Sequence, residues 1–325
     1  MKNAQSNQTD TDMEKTKSST QLCRYFFTKN HCKYGDKCTY LHNIPNGMSE
    51  EEALKQITCP QTLIKEGYNG SVLFEKIATK SIEIKSQART NRCSKCWHDR
   101  RTHCICAHIQ PIQVQRPIKA LVLMHYKEYL SAGNDAKLLL SMMPNDLKEL
   151  YIFGKEGDWQ KFEEECSIDP KHTILLWPSE DAWTVNEWMD HLSVDSSWNK
   201  TQTDKQSHVT DLPTLRVIVL DGVYSHARLM FRTMKRRFPP DRMPPHVALH
   251  PTTVSVYHRA QKNYAQASAS TVKKSNDPNR LHICTVEAFA LLMKELGEDN
   301  DITQSLVKAV QVNNMALLHD VNVRP

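Results

Sequence analysis

The chain has 325 residues with only 9 glycines, 10 cysteines and a formal net charge of +5. Glycine is scarce against the roughly 7% of average proteins, and neither a P-loop nor a G-x-G-x-x-G motif occurs, which excludes the common glycine-rich phosphate sites. The sequence has no apolar run of about 18 residues and no apolar N-terminal signal segment, so we expect no membrane span and a location in the nucleus or cytoplasm. Reduced thiols in those compartments are more often metal ligands than disulfides.

Charge is distributed unevenly along the chain. Residues 85–116 carry a net +6 and residues 221–242 a net +4, whereas residues 141–200 between them carry −8. This pattern favours a protein surface with one positive face, which would attract phosphates. The alternative is that the charges are solvated on several different faces.

The N-terminal region contains a polar tail and a first candidate metal site. Residues 1–20 have no aromatic side chains and are predicted to be disordered. Residues 21–45 contain the spacing C-x8-C-x5-C-x3-H, which predicts a closed tetrahedral Zn²⁺ site whose metal supplies the folding energy of the module. The predicted ligands are Cys23, Cys32, Cys38 and His42.

This module resembles the CCCH zinc fingers, many of which bind single-stranded RNA. Gly35 lies where that family often has a turn glycine. Aromatic residues alternate with basic ones between the ligands, a pattern typical of surfaces that stack bases and contact phosphates. The candidate RNA contacts are Tyr25, Phe27, Tyr34 and Tyr40. The alternative is that these rings pack around the zinc.

Residues 46–90 are predicted to be a linker with some helix and strand tendency, and a second metal site follows it. The spacing C-x2-C-x7-C-x-C predicts a closed structural zinc site formed by Cys93, Cys96, Cys104 and Cys106. His98 and His103 lie in the same loop and could compete as ligands. The alternative is that the four cysteines are ordinary reduced thiols.

From Pro117 onward the sequence predicts an α/β domain, which together with the second metal site spans residues 91–300. Short continuous apolar runs are typical of strands buried on both faces of a mostly parallel sheet flanked by helices. Predicted strands are 118–124, 150–153, 173–177 and 215–220, and predicted helices are 135–143, 225–238, 285–296 and 302–318. Residues 301–325 are assigned to a C-terminal helix and tail, and residues 193–212 and 266–280 to long loops.

Asp221 directly follows the apolar strand that ends at residue 220 and precedes a helix. Ligands of open α/β sheets bind at the carboxyl ends of strands, so Asp221 is a candidate catalytic base, the alternative being a structural or helix-capping aspartate. The helix after it has an apolar face and a basic face. Its basic residues Arg228, Arg232 and Arg236 are candidate RNA-phosphate contacts or solvated surface.

Several motifs in order resemble the DTW-domain family of tRNA-uridine aminocarboxypropyltransferases, over roughly 200 residues from about Arg92 to Leu296. After the four cysteines come an H-x-x-E pair followed by an asparagine, a Pro-Ser loop after a strand, the name-giving D-x-T-W segment, an S-x-Y-x-R-x-Q run and an S-T-x-E-A helix start. They correspond here to His125, Glu128 and Asn134, then LLWPSEDAW (175–183), LDGVYSHARLM (220–230), SVYHRAQ (255–261) and CTVEAFALLM (284–293).

The resemblance implies a fold related to the SPOUT methyltransferases, with a C-terminal trefoil knot and S-adenosylmethionine as cofactor. It implies transfer of the 3-amino-3-carboxypropyl group to N3 of a tRNA uridine (acp³U), with release of methylthioadenosine and with Asp221 as the base. Candidate cofactor contacts are Leu176, Pro178, Ser179, Asp221, Gly222, Tyr224, Thr285 and Glu287. The sequence does not specify which tRNA or uridine is modified, nor an oligomeric state.

The sequence departs from the family pattern at three positions. Val223 stands in place of the threonine of D-x-T-W, Asp135 in place of the threonine after Asn134, and Cys284 in place of the serine before Thr285. Two alternatives to the transferase therefore stay open. One is an RNA-binding adaptor with a CCCH finger and impaired catalysis, and the other is a SPOUT-like methyltransferase that uses the same cofactor.

Overall fold

A computed structural model describes residues 23, 32–38, 41–42, 69–88, 91–193, 213–249 and 284–322. The chain divides into two compact units, Met1–Ile77 and Ala78–Pro325. Helix α1 (Gly70–Ala88) contains the boundary between them and lies within the segment that the sequence assigns to a linker. In the part of the chain that is described, no helix is both long and apolar enough to span a bilayer. The predicted disordered tail, residues 1–20, lies outside the described residues.

The second unit contains a six-stranded sheet in which every strand pair is parallel, in the order β2-β1-β5-β3-β6-β4. The adjacent inner strands β1 and β5 are almost wholly buried, as their continuous apolar runs predict. The strands are β1 (Ile118–His125), β2 (Lys148–Phe153), β3 (Thr173–Leu176), β4 (Trp183–Thr184), β5 (Leu215–Asp221) and β6 (His246–Ala248). The four predicted strands are confirmed, and the sequence missed the short strands β4 and β6.

Helices flank the sheet, and this confirms the predicted α/β class. The sequence missed α3 and α4, and α3 carries the acidic run 163–165 beside a buried face formed by Trp159, Phe162 and Cys166. The helices are α2 (Lys137–Met142), α3 (Asp158–Ile168), α4 (Val185–Ser193), α5 (Tyr224–Arg237), α6 (Thr285–Glu295) and α7 (Asn300–Asn322). Helix α7 packs along α6 and also contacts α2, so it belongs to the same compact unit as the sheet.

The order of the strands determines which loops meet at the carboxyl edge of the sheet. Strand β5 lies between β1 and β3, so the end of β5 is flanked by the loops that follow these two strands. Ligands bind at this edge in open parallel sheets. Residue 193 of the predicted loop 193–212 is the last residue of α4, and the rest of that loop lies outside the described residues, as do the predicted loop 266–280 and the motif at 255–261. The chain path that a knot would need is also outside them, so the trefoil knot stays a prediction.

Candidate active site and metal clusters

Asp221, the last residue of β5, lies at the centre of the carboxyl edge and is only 4% exposed. The side-chain amide of Asn134 donates a hydrogen bond to its Oδ2 at 2.5 Å, and the hydroxyl of Thr285 donates a second one. Asn134 belongs to the loop after β1, and Thr285 is the first residue of α6. Three segments that are distant in sequence therefore converge on one buried carboxyl group.

Burial raises the pKa of Asp221 to about 7. The hydrogen bonds from Asn134 and Thr285 oppose this shift because they stabilise the charged form, whereas the negative charges of Asp135 and Glu128 add to it. A carboxyl group with a pKa near neutrality can accept a proton and release it again at physiological pH, which is the property of a general base.

A pair of stacked imidazoles packs beside this centre. The rings of His125 and His226 are parallel to within 5° with centroids 3.8 Å apart. The pKa of His125 is lowered to about 3, first by burial and then by repulsion from His226, so the ring is neutral. Its Nδ1 accepts the backbone N–H of Lys127 at 3.3 Å. A neutral, packed ring of this kind positions its neighbours and does not exchange protons at pH 7.

Gly222 is explained by the same pair of rings. A Cβ atom at this position would lie 3.0 Å from the Cβ of His226 and 3.4 Å from that of His125. The absence of a side chain therefore allows β1 and α5 to approach each other beside Asp221. Gly222 was predicted to be a cofactor contact, and this close packing gives it a structural role as well.

Lys85 of α1 fixes the loop that follows β1. Its ammonium group donates hydrogen bonds to three backbone carbonyls of that loop, those of Tyr126 at 3.1 Å, Lys127 at 2.6 Å and Tyr129 at 3.3 Å. Three such bonds use all the donors of a lysine. The loop holds Glu128 and leads into Asn134, so Lys85 supports the segment that supplies the hydrogen bond to Asp221.

The other predicted cofactor residues lie in two places, at the end of β3 with the loop after it and in the first turn of α6. Leu176 ends β3 and is followed by the exposed Pro178, while the hydroxyl of Ser179 hydrogen-bonds to Nδ1 of His246 on β6 at 2.9 Å. Glu287 is buried in the first turn of α6, two residues after Thr285. The structure thus brings Asp221, Gly222 and Thr285 together, and it pairs Ser179 with β6.

Tyr224, by contrast, is 57% exposed and belongs to a series of aromatic rings. Its ring lies within 13° of parallel to that of Trp177, with 6.4 Å between centroids, and Trp177 in turn stacks on Phe231 at 4.8 Å. We call these three rings the aromatic ladder. From the sequence, Trp177 is the last residue of the predicted strand 173–177 and Phe231 belongs to the apolar face of the helix, and neither pattern predicts that their rings stack with Tyr224. An aromatic residue at the carboxyl end of a predicted strand was the signal that could have indicated Trp177.

Cationic side chains surround the aromatic ladder. The guanidinium of Arg228 lies 4.4 Å from the Tyr224 ring centroid, and the ammonium of Lys235 lies 5.0 Å from that of Phe231. Arg232 and Arg236 are exposed on the same helix, while Ala227, Met230 and Met234 are buried. The predicted division of α5 into an apolar and a basic face is therefore confirmed.

The four cysteines of the second cluster lie close enough to share one metal ion. Their sulfur atoms all fall within 4.8 Å of one another, with 3.5 Å between Cys93 and Cys106 and 3.8 Å between Cys96 and Cys104. A tetrahedral zinc with Zn–S bonds of about 2.3 Å requires S–S distances of about 3.8 Å. The geometry fits Zn²⁺, and the cluster has no open coordination position for a substrate.

Neither histidine of this loop belongs to the cluster. The buried His98 forms a 2.8 Å hydrogen bond with the side chain of Asn313 on α7, and His103 bonds to Thr102. Asn313 also donates to Asp135 at 3.2 Å, so the residue that departs from the family pattern at 135 has a partner here. These contacts connect the cysteine module to the loop that holds Asn134.

The N-terminal cluster also presents four ligand atoms, from Cys23, Cys32, Cys38 and His42, within 4.8 Å of one another. Gly35 begins a short 3₁₀ turn between two ligands with φ +48°, a conformation that favours glycine, which explains why a turn glycine stands at this position. Tyr34 is 57% exposed with the ammonium of Lys33 4.8 Å from its ring centroid. The other predicted RNA contacts, Tyr25, Phe27 and Tyr40, lie outside the described residues.

Comparison with known families agrees with both parts of this description. The family model of the DTW domain matches residues 90–316 of this chain, and the family model of the zinc finger C-x8-C-x5-C-x3-H type matches residues 18–44. No curated protein and no solved structure matches the chain. A DTW domain fits a tRNA-modifying enzyme in general.

Proposed function

The chain belongs to the DTW-domain family, and on that premise we propose that it transfers the 3-amino-3-carboxypropyl group of S-adenosylmethionine to N3 of a tRNA uridine. The observation that carries the proposal is the buried Asp221, with a pKa of about 7, at the carboxyl end of a central parallel strand. Uridine N3 carries a weakly acidic proton, and its removal creates the nucleophile that this transfer needs.

The residues at the carboxyl edge fit the charge of the proposed cofactor. Asp221 brings a buried carboxyl group to the end of β5, beside Thr285, and Glu287 is a second buried carboxyl group in the first turn of α6. Carboxyl groups suit a sulfonium ligand because a carboxylate attracts its positive charge. When bound, S-adenosylmethionine supplies an electrophilic carbon attached to its sulfonium sulfur.

In the proposed reaction the protein orients the base and accepts its proton. Asp221 takes the N3 proton on a carboxylate oxygen, and Asn134 and Thr285 keep that carboxylate in one orientation through their hydrogen bonds. The uridine has to leave its stack to reach the edge of the sheet, as in other base-modifying enzymes. The stacked pair of His125 and His226 packs against Gly222, directly after Asp221.

The alternative of a catalytically impaired adaptor depends on Val223 and Cys284, and both positions are helix N-caps. Val223 precedes α5 without a side-chain capping bond, whereas a threonine hydroxyl there would accept a backbone N–H, a contact typically worth about 1 kcal/mol. Cys284 still accepts the backbone N–H of Glu287 at 3.5 Å. Both departures therefore alter helix ends, while Asn134 and Thr285, the partners of Asp221, are retained.

The experiment is mass spectrometry of nucleosides after tRNA is incubated with the full chain and S-adenosylmethionine. The proposal expects uridine that has gained an aminocarboxypropyl group, together with released methylthioadenosine. A methylated nucleoside would instead support the methyltransferase. Absence of product combined with absence of S-adenosylmethionine binding by calorimetry would support the adaptor.

A further inference from the structure

An exposed surface at the start of α5 combines flat rings with positive charge. We propose that the aromatic ladder of Trp177, Tyr224 and Phe231 stacks an unpaired base of the substrate RNA, and that the exposed cations of α5 hold the flanking phosphates. The inference rests on the proposed function for the identity of the RNA. It also moves Tyr224, which the sequence predicts as a cofactor contact, to the RNA-binding surface.

The rings of the aromatic ladder are arranged as a stacking surface. Tyr224 is 57% exposed, and beneath it Trp177 and Phe231 continue the stack, with interplanar angles of 13° and 24° between successive rings. Exposing a tyrosine ring to water has no stabilising effect on the folded chain. Stacking on an aromatic side chain is the common way in which proteins hold unpaired bases without regard to their sequence.

Four cations of α5 supply charge for phosphates. Within the described residues, Arg228, Arg232, Lys235 and Arg236 form no ion pair with a carboxylate, whereas the neighbouring Arg237 pairs with Glu163 at 3.2 Å. Arg228 also donates a hydrogen bond to the Tyr224 hydroxyl at 2.9 Å, so positive charge is joined directly to the ladder. A run of unpaired cations beside stacked rings is the combination that single-stranded nucleic acid requires.

The positive charge of this surface favours RNA over the cofactor as its ligand. S-adenosylmethionine carries one carboxylate, one ammonium and one sulfonium group, so it is a net cation. A surface with four exposed cations repels it, and the surface attracts the polyanion RNA. The carboxyl groups that suit a sulfonium are at Asp221 and Glu287, both buried.

The position of the ladder suits an RNA that delivers a base to Asp221. Tyr224 follows Asp221 by three residues, and Trp177 is the first residue after β3, the strand that pairs with β5. A base stacked on these rings is therefore held at the same edge of the sheet as the buried carboxyl group. The stacking energy then compensates for part of the cost of taking the RNA out of its own stack.

The test measures binding of the full chain to fluorescent oligouridylate and to an abasic oligomer of the same length. Tyr224→Leu should weaken oligouridylate binding about tenfold, and it should leave binding of the abasic oligomer within twofold. Tyr224→Phe keeps the ring and should bind like the unmodified chain. Arg237→Gln is the matched control, because it removes a cation of the same helix that already has a carboxylate partner.

Removal of the cations should change the affinity and its salt dependence in a different way from removal of the ring. The double variant Arg232→Gln/Lys235→Gln should weaken binding of both oligomers and reduce the slope of log affinity against log salt by about 1.4, the value for two phosphate contacts on a single strand. Calorimetry with S-adenosylmethionine should give the same affinity for Tyr224→Leu as for the unmodified chain.

Three results would overturn the inference: no binding of oligouridylate by the unmodified chain, equal losses on both oligomers in Tyr224→Leu, or a loss confined to S-adenosylmethionine. Its failure is separable from failure of the proposed function. Ring-dependent RNA binding without any aminocarboxypropyl product would leave this surface in place and reject the reaction, whereas product formation with ring-independent binding would do the reverse.

Discussion

Two regions at the carboxyl edge of one sheet differ in almost every physical property. Asp221 is 4% exposed and hydrogen-bonded by two neutral side chains, and burial raises its pKa to about 7. Tyr224, three residues later, is 57% exposed, and the guanidinium of Arg228 lies 4.4 Å from its ring centroid. Burial creates the unusual pKa of the first region, while exposure makes the rings and charges of the second available to a large ligand.

This difference assigns different roles to the two ends of one motif. The family resemblance implies that the aspartate and the aromatic residue of the D-x-T-W segment both contact the cofactor. In the structure Asp221 ends the buried strand β5, Val223 is the N-cap of α5 and Tyr224 is the first residue of that helix, so the chain turns from a buried strand into an exposed helix between them. We therefore expect changes at Asp221 to alter turnover, and changes on the exposed surfaces to alter RNA affinity.

The largest expected effect is that of Asp221→Asn. The amide keeps the size of the side chain and one acceptor oxygen but cannot accept a proton, so kcat should fall by roughly 10²–10⁴-fold. The KM for tRNA should stay within about twofold. Steady-state kinetics measure both quantities, and near-normal turnover would remove Asp221 from its role as base.

Thr285→Val should have the next largest effect and should depend on pH. Loss of the hydroxyl removes a hydrogen bond that lowers the pKa of Asp221, and a hydrogen bond to a charged group is worth about 1.5–3 kcal/mol, or about one to two pKa units. Since a base with a higher pKa is protonated at pH 7, the rate should fall there about tenfold and recover as the pH rises. Thr285→Ser keeps the hydroxyl and serves as the control.

Cys32→Ser tests recognition in the N-terminal unit. Loss of one of four zinc ligands should unfold the CCCH finger, because its short, polar sequence predicts that the metal supplies its folding energy. We expect the KM for tRNA to rise several-fold with kcat at saturating tRNA within about twofold. A fall in kcat alone would show that the finger contributes to chemistry, and no change in either constant would exclude it from binding this substrate.

The smallest expected effect is that of Val223→Thr. This variant tests whether the threonine of the family motif, which the chain lacks, caps helix α5 or takes part in catalysis. A hydroxyl at the N-cap of α5 should raise the free energy of unfolding by about 1 kcal/mol and Tm by roughly 2–4 °C, with kcat unchanged. Thermal unfolding and steady-state kinetics measure the two effects. A chain that becomes active only with this threonine would instead support the adaptor.

The sequence predicts those features that depend on a local pattern. Continuous apolar runs indicated the buried strands β1 and β5, and the ligand spacings indicated both cysteine clusters, because each of these signals lies within a short segment. Strands β4 and β6 have two and three residues, which is too short for a periodicity. Helix α3 was missed because the acidic residues 163–165 interrupt the apolar periodicity of its buried face.

The sequence could not predict contacts between distant segments. Asn134 and Asp221 are 87 residues apart, and only the parallel pairing of β1 with β5 brings them together. The resemblance named Asn134 as part of a motif, but its bond to Asp221 follows from the fold. The raised pKa of Asp221 and the stack of Trp177 with Tyr224 have the same origin, since burial and ring contacts are set by which strands are neighbours.

The most direct test of the central role of Asp221 is the pH dependence of a single turnover at saturating S-adenosylmethionine and tRNA. With Asp221 as the base, the rate rises in proportion to the deprotonated fraction of the carboxyl group, so it should increase tenfold per pH unit at low pH and level off above about 7. In Asp221→Asn this bend should disappear. A rate that is constant from pH 5.5 to 8, or one that rises without a bend, would contradict the assignment.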